Sequence, residues 1–94
     1  NVINSGGVKI HPEQLEKQLK KQLKVRFFIA SLADNKLGQK VVLIIEGEVK
    51  ELELDWHQID PIKRPKNIYF VPVFSETISG KIQRQKTLEL LNLN

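Results

Sequence analysis

Apolar residues recur along this chain with two spacings, one typical of helices and one typical of strands. Leu15, Leu19 and Leu23 follow one another at four-residue steps, which predicts the apolar stripe of a helix. Pro12 precedes them in the first-turn position that a helix tolerates, so the helix is predicted to begin there. Two pairs at helical spacing are expected to support it as surface ion pairs, Glu13 with Lys17 and Glu16 with Lys20.

The middle of the chain is rich in β-branched and aromatic residues. Val25 to Ala33 carries apolar side chains on both alternating faces and is predicted to form an interior strand. A polar turn follows at 34–38, and Val41 to Ile45 is predicted to be a second strand, ended by Gly47. A hairpin is the simplest arrangement of the two strands.

The remaining segments carry weaker patterns. Lys50 to Ile59 could form a short helix, although Leu52, Leu54 and Trp56 alternate as they would in an extended chain. Ile68 to Phe74 is predicted to be a third strand. Pro72 within it indicates an edge position or a bulge.

The two ends of the chain complete the expected fold. Ile3 to Ile10 is predicted to be a short extended segment broken by Gly6 and Gly7, and Gln83 to Leu91 to be the closing helix. The predicted fold class is therefore α+β, with helices packed on a small, mainly three-stranded sheet and a short amino-terminal β segment. All 94 residues are expected to form a single domain.

Composition narrows the classes of function. The chain has no cysteine, which excludes disulfides and thiolate metal sites. No apolar run is long enough to span a membrane, and a cytoplasmic setting is expected. The chain begins at Asn1 and lacks methionine, as expected of a fragment or a processed product. Its net charge of +4 is compatible with anionic partners such as nucleotides but does not identify one.

The segment from Glu76 to Arg84 carries the candidate chemistry. Lys81 follows a Ser79-Gly80 turn and is expected at the entrance to a helix. Gly80 permits backbone angles closed to other residues, and the partial positive charge of a helix start favours anions. Read alone, such a lysine is more often only an exposed residue at a turn.

A second segment, from Ile3 to Glu16, changes that interpretation. The two segments together resemble the carboxy-terminal domain of the adenylate-forming enzymes, the acyl-CoA synthetase superfamily. That family has the patterns I-x-S-G-G-x-x-I-x-P-x-x-(I/L)-E and P-x-T-x-(S/T)-G-K-(I/V)-x-R, which this chain matches from Ile3 to Glu16 and from Glu76 to Arg84. The proline that opens the second pattern is replaced here by Ser75, which is expected to loosen the lysine loop.

The resemblance implies a role for each matching residue. Lys81 would enter the active site of a large amino-terminal domain during adenylation, with Thr77, Ser79 and Gly80 forming its loop and Arg84 a structural partner. Gly6 and Gly7 would line the tunnel through which the pantetheine of CoA reaches the acyl-adenylate. The basic groups of Arg64 and Lys66 would approach the CoA phosphates.

The same resemblance implies which parts the chain does not contain. ATP with magnesium and the carboxylic acid would bind mainly to the large domain, and CoA would be the second cofactor. The isolated chain is therefore expected to be inactive. Rotation about a hinge preceding Asn1 would present one face for adenylation and the opposite face for thioester formation.

Other interpretations have less support. No metal site is expected, because the chain has two histidines and no carboxylates at catalytic spacing. A phosphate-binding P-loop does not fit, since Ser75 and Ile82 occupy positions where it needs glycine and a hydroxyl residue. A basic module that binds nucleic acid is the main alternative, but no aromatic stacking platform is evident. Lys9, His11, Trp56 and His57 have no assigned role, although His11 could cap the first helix, and Trp56 and His57 are expected to belong to local packing.

Overall fold

The computed structural model describes residues 1–91. It contains five strands and two α-helices, followed here in chain order. The elements are β1 (Ile3–Ser5), β2 (Val8–Ile10), α1 (Pro12–Leu19), β3 (Phe27–Asp34), β4 (Gly38–Glu46), a 3₁₀ turn (Pro61–Lys63), β5 (Asn67–Val71) and α2 (Arg84–Glu89).

All five strands form one sheet around β4. Strand β3 pairs with β4 as an antiparallel hairpin, and β5 pairs with β4 in parallel. The β1–β2 hairpin joins the start of β4 through the pair Ser5–Gly38. The predicted α+β class, with three main strands and an amino-terminal β segment, is thus confirmed.

Strand β4 is the interior strand, and its two faces are buried in two separate cores. Its residues are buried without interruption from Val41 to Ile45 because neighbouring side chains point to opposite faces. One core packs α1 against the sheet, and the other lies under the carboxy-terminal segment. The first contains Ile3, Ile10, Leu15, Leu19, Leu23, Ile29, Val41, Leu43, Ile45 and Ile59, and the second Phe28, Val42, Ile44, Val71 and Phe74.

The prediction of an interior strand at Val25 to Ala33 was wrong. Strand β3 begins at Phe27 and pairs only with β4, so it lies at an edge of the sheet. Its alternating apolar residues are still covered, because Phe28 faces one core and Ile29 the other. Burial on two faces does not require hydrogen bonding on two edges.

The prediction of a short helix at Lys50 to Ile59 was also wrong. The segment has no regular structure, and Leu52, Leu54 and Trp56 pack half-buried against the first core. The packing of the segment thus follows the two-residue alternation of its apolar side chains and not a helical repeat. The amide of Gln22 supports the segment by hydrogen bonding both backbone groups of Asp55, at 2.8 and 2.7 Å.

The bounds of the remaining elements differ from the predicted bounds by a few residues. Strand β5 ends at Val71, directly before Pro72, and lies at an edge as that proline indicated. Helix α1 begins at Pro12 as predicted, with His11 at its N-cap position, but the His11 side chain makes no capping hydrogen bond. The predicted closing helix is confirmed in a shorter form, Arg84–Glu89.

Candidate functional site

Lys81 lies in a tight hairpin loop. The N–H of Thr77 donates to the carbonyl of Lys81 at 2.8 Å, and the N–H of Gly80 donates to the carbonyl of Thr77 at 2.9 Å. Gly80 has φ +87°, in the left-handed region that closes a three-residue hairpin loop. The predicted Ser79-Gly80 turn is therefore present in the structure.

Threonine and serine hydroxyls reinforce this loop. The Thr77 hydroxyl accepts the N–H of Lys81 at 3.1 Å and shares a hydrogen bond of 3.0 Å with the hydroxyl of Ser79. The side chains of Lys81 and Ile78 are exposed, and Ile78 at the tip is the most exposed large apolar residue among residues 1–91. The hairpin thus presents a lysine and an isoleucine to the surroundings on a hydrogen-bonded backbone.

The expected position of Lys81 at a helix entrance needs correction. Helix α2 begins at Arg84 with Gln83 as its N-cap residue, so Lys81 precedes the helix on an extended segment. The field of a helix end acts within its first turn. The position of Lys81 therefore depends on the hairpin rather than on a helix terminus.

An arginine with two glutamates lies at the base of the hairpin. Glu76, directly before Thr77, forms a β-bridge with Ile82 across the hairpin and an ion pair with Arg26. Arg26 also forms a double hydrogen bond with Glu46, at 2.9 Å from Nε and 2.6 Å from Nη2. One guanidinium thus joins the end of β4 to the base of the Lys81 loop.

These contacts shift the acidity of both partners of the Arg26–Glu46 pair. The hydrogen bonds to Glu46 and then to Glu76 raise the pKa of Arg26 above its ordinary value. The hydrogen bond from Arg26, followed by the N–H of Phe74 at 2.8 Å, lowers the pKa of Glu46. The guanidinium also lies 5.7 Å from the centre of the Phe74 ring.

Ser75 is held by three hydrogen bonds, so the expected loosening at this position is not evident. Its N–H donates to the hydroxyl of Thr87 at 3.1 Å, and its own hydroxyl donates to Oε1 of Gln83 at 2.9 Å. Its carbonyl accepts the N–H of Gln83 at 2.8 Å. A proline here would have no N–H for Thr87, so this chain fixes the segment with hydrogen bonds instead of a rigid ring.

Arg84 connects the two sequence patterns. Its Nη1 donates to Oε2 of Glu16 at 2.7 Å, and its guanidinium lies 5.3 Å from the centre of the Phe28 ring. These contacts agree with the predicted role of Arg84 as a structural partner. The predicted helical ion pairs, Glu13 with Lys17 and Glu16 with Lys20, are not present within residues 1–91. Glu16 instead accepts hydrogen bonds from Arg84 and from the N–H of Ile29.

The glycine pair forms the turn of the β1–β2 hairpin. Gly6 and Gly7 have φ of +58° and +84°, the pair of positive angles that a two-residue hairpin turn needs. A Cβ on Gly6 would lie 3.1 Å from Cδ2 of Leu37, whereas a Cβ on Gly7 would meet open space. Gly7 thus leaves room outside the turn for an approaching group.

The two candidate basic residues differ in how firmly they are held. The Nε of Arg64 donates to the carbonyl of Ile59 at 2.9 Å, which fixes the half-buried side chain. Lys66 is exposed, and its N–H donates to the carbonyl of Val41 at 2.8 Å. The structure therefore places Lys66 beside the first half of β4.

The candidate residues fall into two groups at opposite ends of β4. The glycine turn is attached at the start, where the N–H of Gly6 donates to the carbonyl of Leu37 at 2.8 Å, and Lys66 lies nearer this end of β4 than the other, beside Val41. The base of the Lys81 loop is attached at the other end, through Glu46. Eight residue steps of about 3.3 Å separate Gly38 from Glu46, so the two ends of β4 are roughly 26 Å apart.

Sequence reasoning missed Arg26 and Glu46. Each lies beside apolar strand residues outside both sequence patterns, and each gains its partner only when β3, β4 and the carboxy-terminal segment assemble. Trp56 packs locally as predicted, whereas the side chain of His57 is exposed. No group of acidic or histidine side chains able to hold a metal ion occurs in residues 1–91, nor does any helix there have the length and apolarity to cross a membrane.

The small sheet with its two helices matches the carboxy-terminal domain of adenylate-forming enzymes. An AMP-forming acyl-CoA synthetase/AMP-acid ligase II-like protein from Dyadobacter fermentans is 33% identical, with a TM-score of 0.84 over 97% of this chain. An acyl-CoA synthetase from Brucella canis is 24% identical with a TM-score of 0.74 over 98%, and ATP-bound MatB from Rhodopseudomonas palustris is 18% identical with a TM-score of 0.75 over 94%.

This chain spans only part of these proteins. It covers 29% of the Dyadobacter chain and 19% of each of the other two. No protein-family model matches the sequence, and no curated protein sequence does. The solved structures that this chain resembles thus include acyl-CoA synthetases, one of them AMP-forming, and the part they share with this chain is one small domain.

Proposed function

We propose that this chain is the carboxy-terminal domain of an ATP-dependent acid–CoA ligase in the cytoplasm. The observation that carries the proposal is the placement of Lys81 on an exposed, hydrogen-bonded hairpin at one end of β4, with the glycine turn at the other end. ATP with magnesium and the acid would bind mainly to a larger amino-terminal domain. CoA would complete the reaction.

Lys81 would act in the first half-reaction. A carboxylate oxygen of the acid attacks the α-phosphorus of ATP, an acyl-adenylate forms, and pyrophosphate leaves. Negative charge accumulates between the attacking oxygen and the phosphate, and a fixed ammonium group there stabilises the transition state more than the ground state. The exposure of Lys81 supports this role, because its side chain is available to another domain.

The glycine turn would act in the second half-reaction. The thiol of CoA attacks the carbonyl carbon of the acyl-adenylate and AMP leaves, so pantetheine must reach that carbon. The open space beside Gly7 suits a narrow chain, and Lys66, exposed beside the same half of β4, suits the CoA phosphates. Arg64 is the weaker candidate for phosphate, since its Nε is already bonded to Ile59.

We propose o-succinylbenzoate, an intermediate of menaquinone biosynthesis, as the acid. Support comes only from the sequence of residues 4–14, Asn-Ser-Gly-Gly-Val-Lys-Ile-His-Pro-Glu-Gln. Within the family, this sequence resembles that of o-succinylbenzoate–CoA ligase. The acyl pocket would lie in the large domain. An assay of the parent enzyme with o-succinylbenzoate against other aromatic and aliphatic acids tests this choice directly.

The placement of the aromatic residues does not support the alternative of a nucleic-acid-binding module. All six aromatic residues are buried or half-buried, so none offers an exposed ring on which bases could stack. Micromolar binding of oligonucleotides that weakens with salt would favour this alternative.

The parent enzyme carrying Lys81→Ala tests the proposed function. Adenylate formation from ATP and acid is measured separately from thioester formation from presynthesised acyl-adenylate and CoA. We expect a loss on the order of a hundredfold in the first reaction and a nearly unchanged second reaction. Lys86→Ala, which removes an exposed lysine on α2, is the matched control. Wild-type rates of Lys81→Ala in both assays would reject the catalytic role.

A further inference from the structure

We infer that Arg26 is a positioning residue for Lys81, acting through Glu76 at the base of the hairpin. The inference rests on the proposed function, because it assigns Arg26 to the adenylation half-reaction. Arg26 lies directly before β3 and outside both sequence patterns that carry the family resemblance.

Arg26 is itself fixed by its contact with Glu46. Two of its nitrogens bond both carboxylate oxygens of Glu46, a paired geometry that fits only a planar guanidinium. Glu46 ends β4, the strand buried on both faces, and its Oε2 also accepts the N–H of Phe74. The guanidinium is therefore held at the end of the strand that is buried on both faces.

The remaining nitrogen of Arg26 reaches the base of the hairpin. Nη1 donates to Oε2 of Glu76, whose backbone bridges Ile82 on the opposite side of the hairpin. Glu76 directly precedes the Thr77 that bonds Lys81. The chain of contacts thus runs from β4 through Glu46, Arg26 and Glu76 to the lysine loop.

Besides the ion pair of Glu76, the base of the hairpin is fixed by Ile82, which packs half-buried against the second core. Beyond the base, residues 77–81 are all exposed, and Ile78 is fully so. The Ser75–Gln83–Thr87 hydrogen bonds hold the segments below the hairpin. A misplacement of about 1 Å in a reacting geometry can cost up to about a hundredfold in rate, so tilting of the loop would be costly.

The test uses the parent enzyme with Glu76→Ala and Glu76→Gln. These variants remove or weaken the contact to the loop and leave the Arg26–Glu46 pair and the buried cores intact. We expect adenylation to fall about tenfold for alanine and less for glutamine, through kcat, with an unchanged melting temperature and thioester formation near the wild-type rate. Glu51→Ala, at an exposed glutamate outside the helices and strands, is the matched control.

Arg26→Lys provides an independent measurement. A lysine keeps the charge but cannot bond Glu46 on two sides and Glu76 at the same time. We expect it to lower adenylation as Glu76→Ala does, and the double variant to add little further loss, because both break the same chain of contacts.

Two results would overturn the inference. The first is a wild-type adenylation rate for Glu76→Ala, and the second is an equal loss in both half-reactions, which would indicate a role in folding alone. Lys81→Ala measured in parallel separates this failure from failure of the proposed function. If Lys81→Ala abolishes adenylation while Glu76→Ala does not change it, the proposed function stands and the positioning role of Arg26 falls.

Discussion

Arg84 and Glu16 form an ion pair of 2.7 Å across 68 residues of sequence. Glu16 ends the first of the two sequence patterns and Arg84 ends the second. Because Glu16 also accepts the N–H of Ile29, a single carboxylate connects α1, β3 and the start of α2. The patterns at the two ends of the chain are thus in direct contact.

Breaking this pair should lower the stability of the chain modestly. Half of the Arg84 side chain is exposed, 52% against 17% for Glu16, so water screens the charges. We expect Arg84→Gln to cost about 1 kcal/mol, from the pair and the contact with the Phe28 ring together. Urea denaturation of Arg84→Gln, Glu16→Gln and the double variant measures the coupling. Fully additive losses would mean that the two side chains do not interact.

The two glycines of the β1–β2 turn should respond differently to alanine. Both substitutions force alanine to a positive φ, which costs about 1 kcal/mol. Gly6→Ala should cost more than Gly7→Ala, because only its Cβ meets the side chain of Leu37. Gly38→Ala, at φ +83° with open space around it, is the control for backbone strain alone. Equal losses at all three positions in thermal denaturation would contradict the assigned contact.

The stability of the chain should depend on Glu46 in acid. Its carboxyl has a lower pKa in the folded chain than in the unfolded chain, because Arg26 and the N–H of Phe74 favour the charged form. The stabilisation is therefore complete above the unfolded value of about 4.3 and is lost as the pH falls through the lower folded value. We expect Glu46→Gln to be less stable than the wild type at pH 7 and to lose less stability on acidification. Parallel urea denaturation curves from pH 7 to pH 3 check this, and identical pH slopes would refute it.

Lys66 and Arg64 can be distinguished by measuring affinity and stability together. In the parent enzyme, Lys66→Ala should raise the KM for CoA with no change in melting temperature, because its side chain is exposed. Arg64→Ala should lower the melting temperature as well, because it leaves the half-buried carbonyl of Ile59 without the guanidinium. An unchanged KM for CoA in Lys66→Ala would remove this residue from the proposed CoA site.

The sequence predicted local features better than tertiary ones. Helix α1, the β3–β4 hairpin and the turn before Lys81 depend on periodicity, proline and glycine, which are visible over a few residues. The edge position of β3 depends on which strands pair with it, and no periodicity records that. Arg26 could not be found for the same reason, since both of its carboxylate partners are distant in sequence and it stands outside any recognised pattern.

The exposed isoleucine at the tip of the hairpin affects how the loop would bind to the surface of another domain. A surface that takes up the whole tip of the hairpin with the Lys81 ammonium would also cover Ile78, three residues before it. Burying an isoleucine side chain contributes about 1.5–3 kcal/mol through dehydration, and that contribution is not screened by ions. Docking of the loop would therefore persist at ionic strengths that weaken a purely electrostatic contact, and its strength would rise on warming from low temperature.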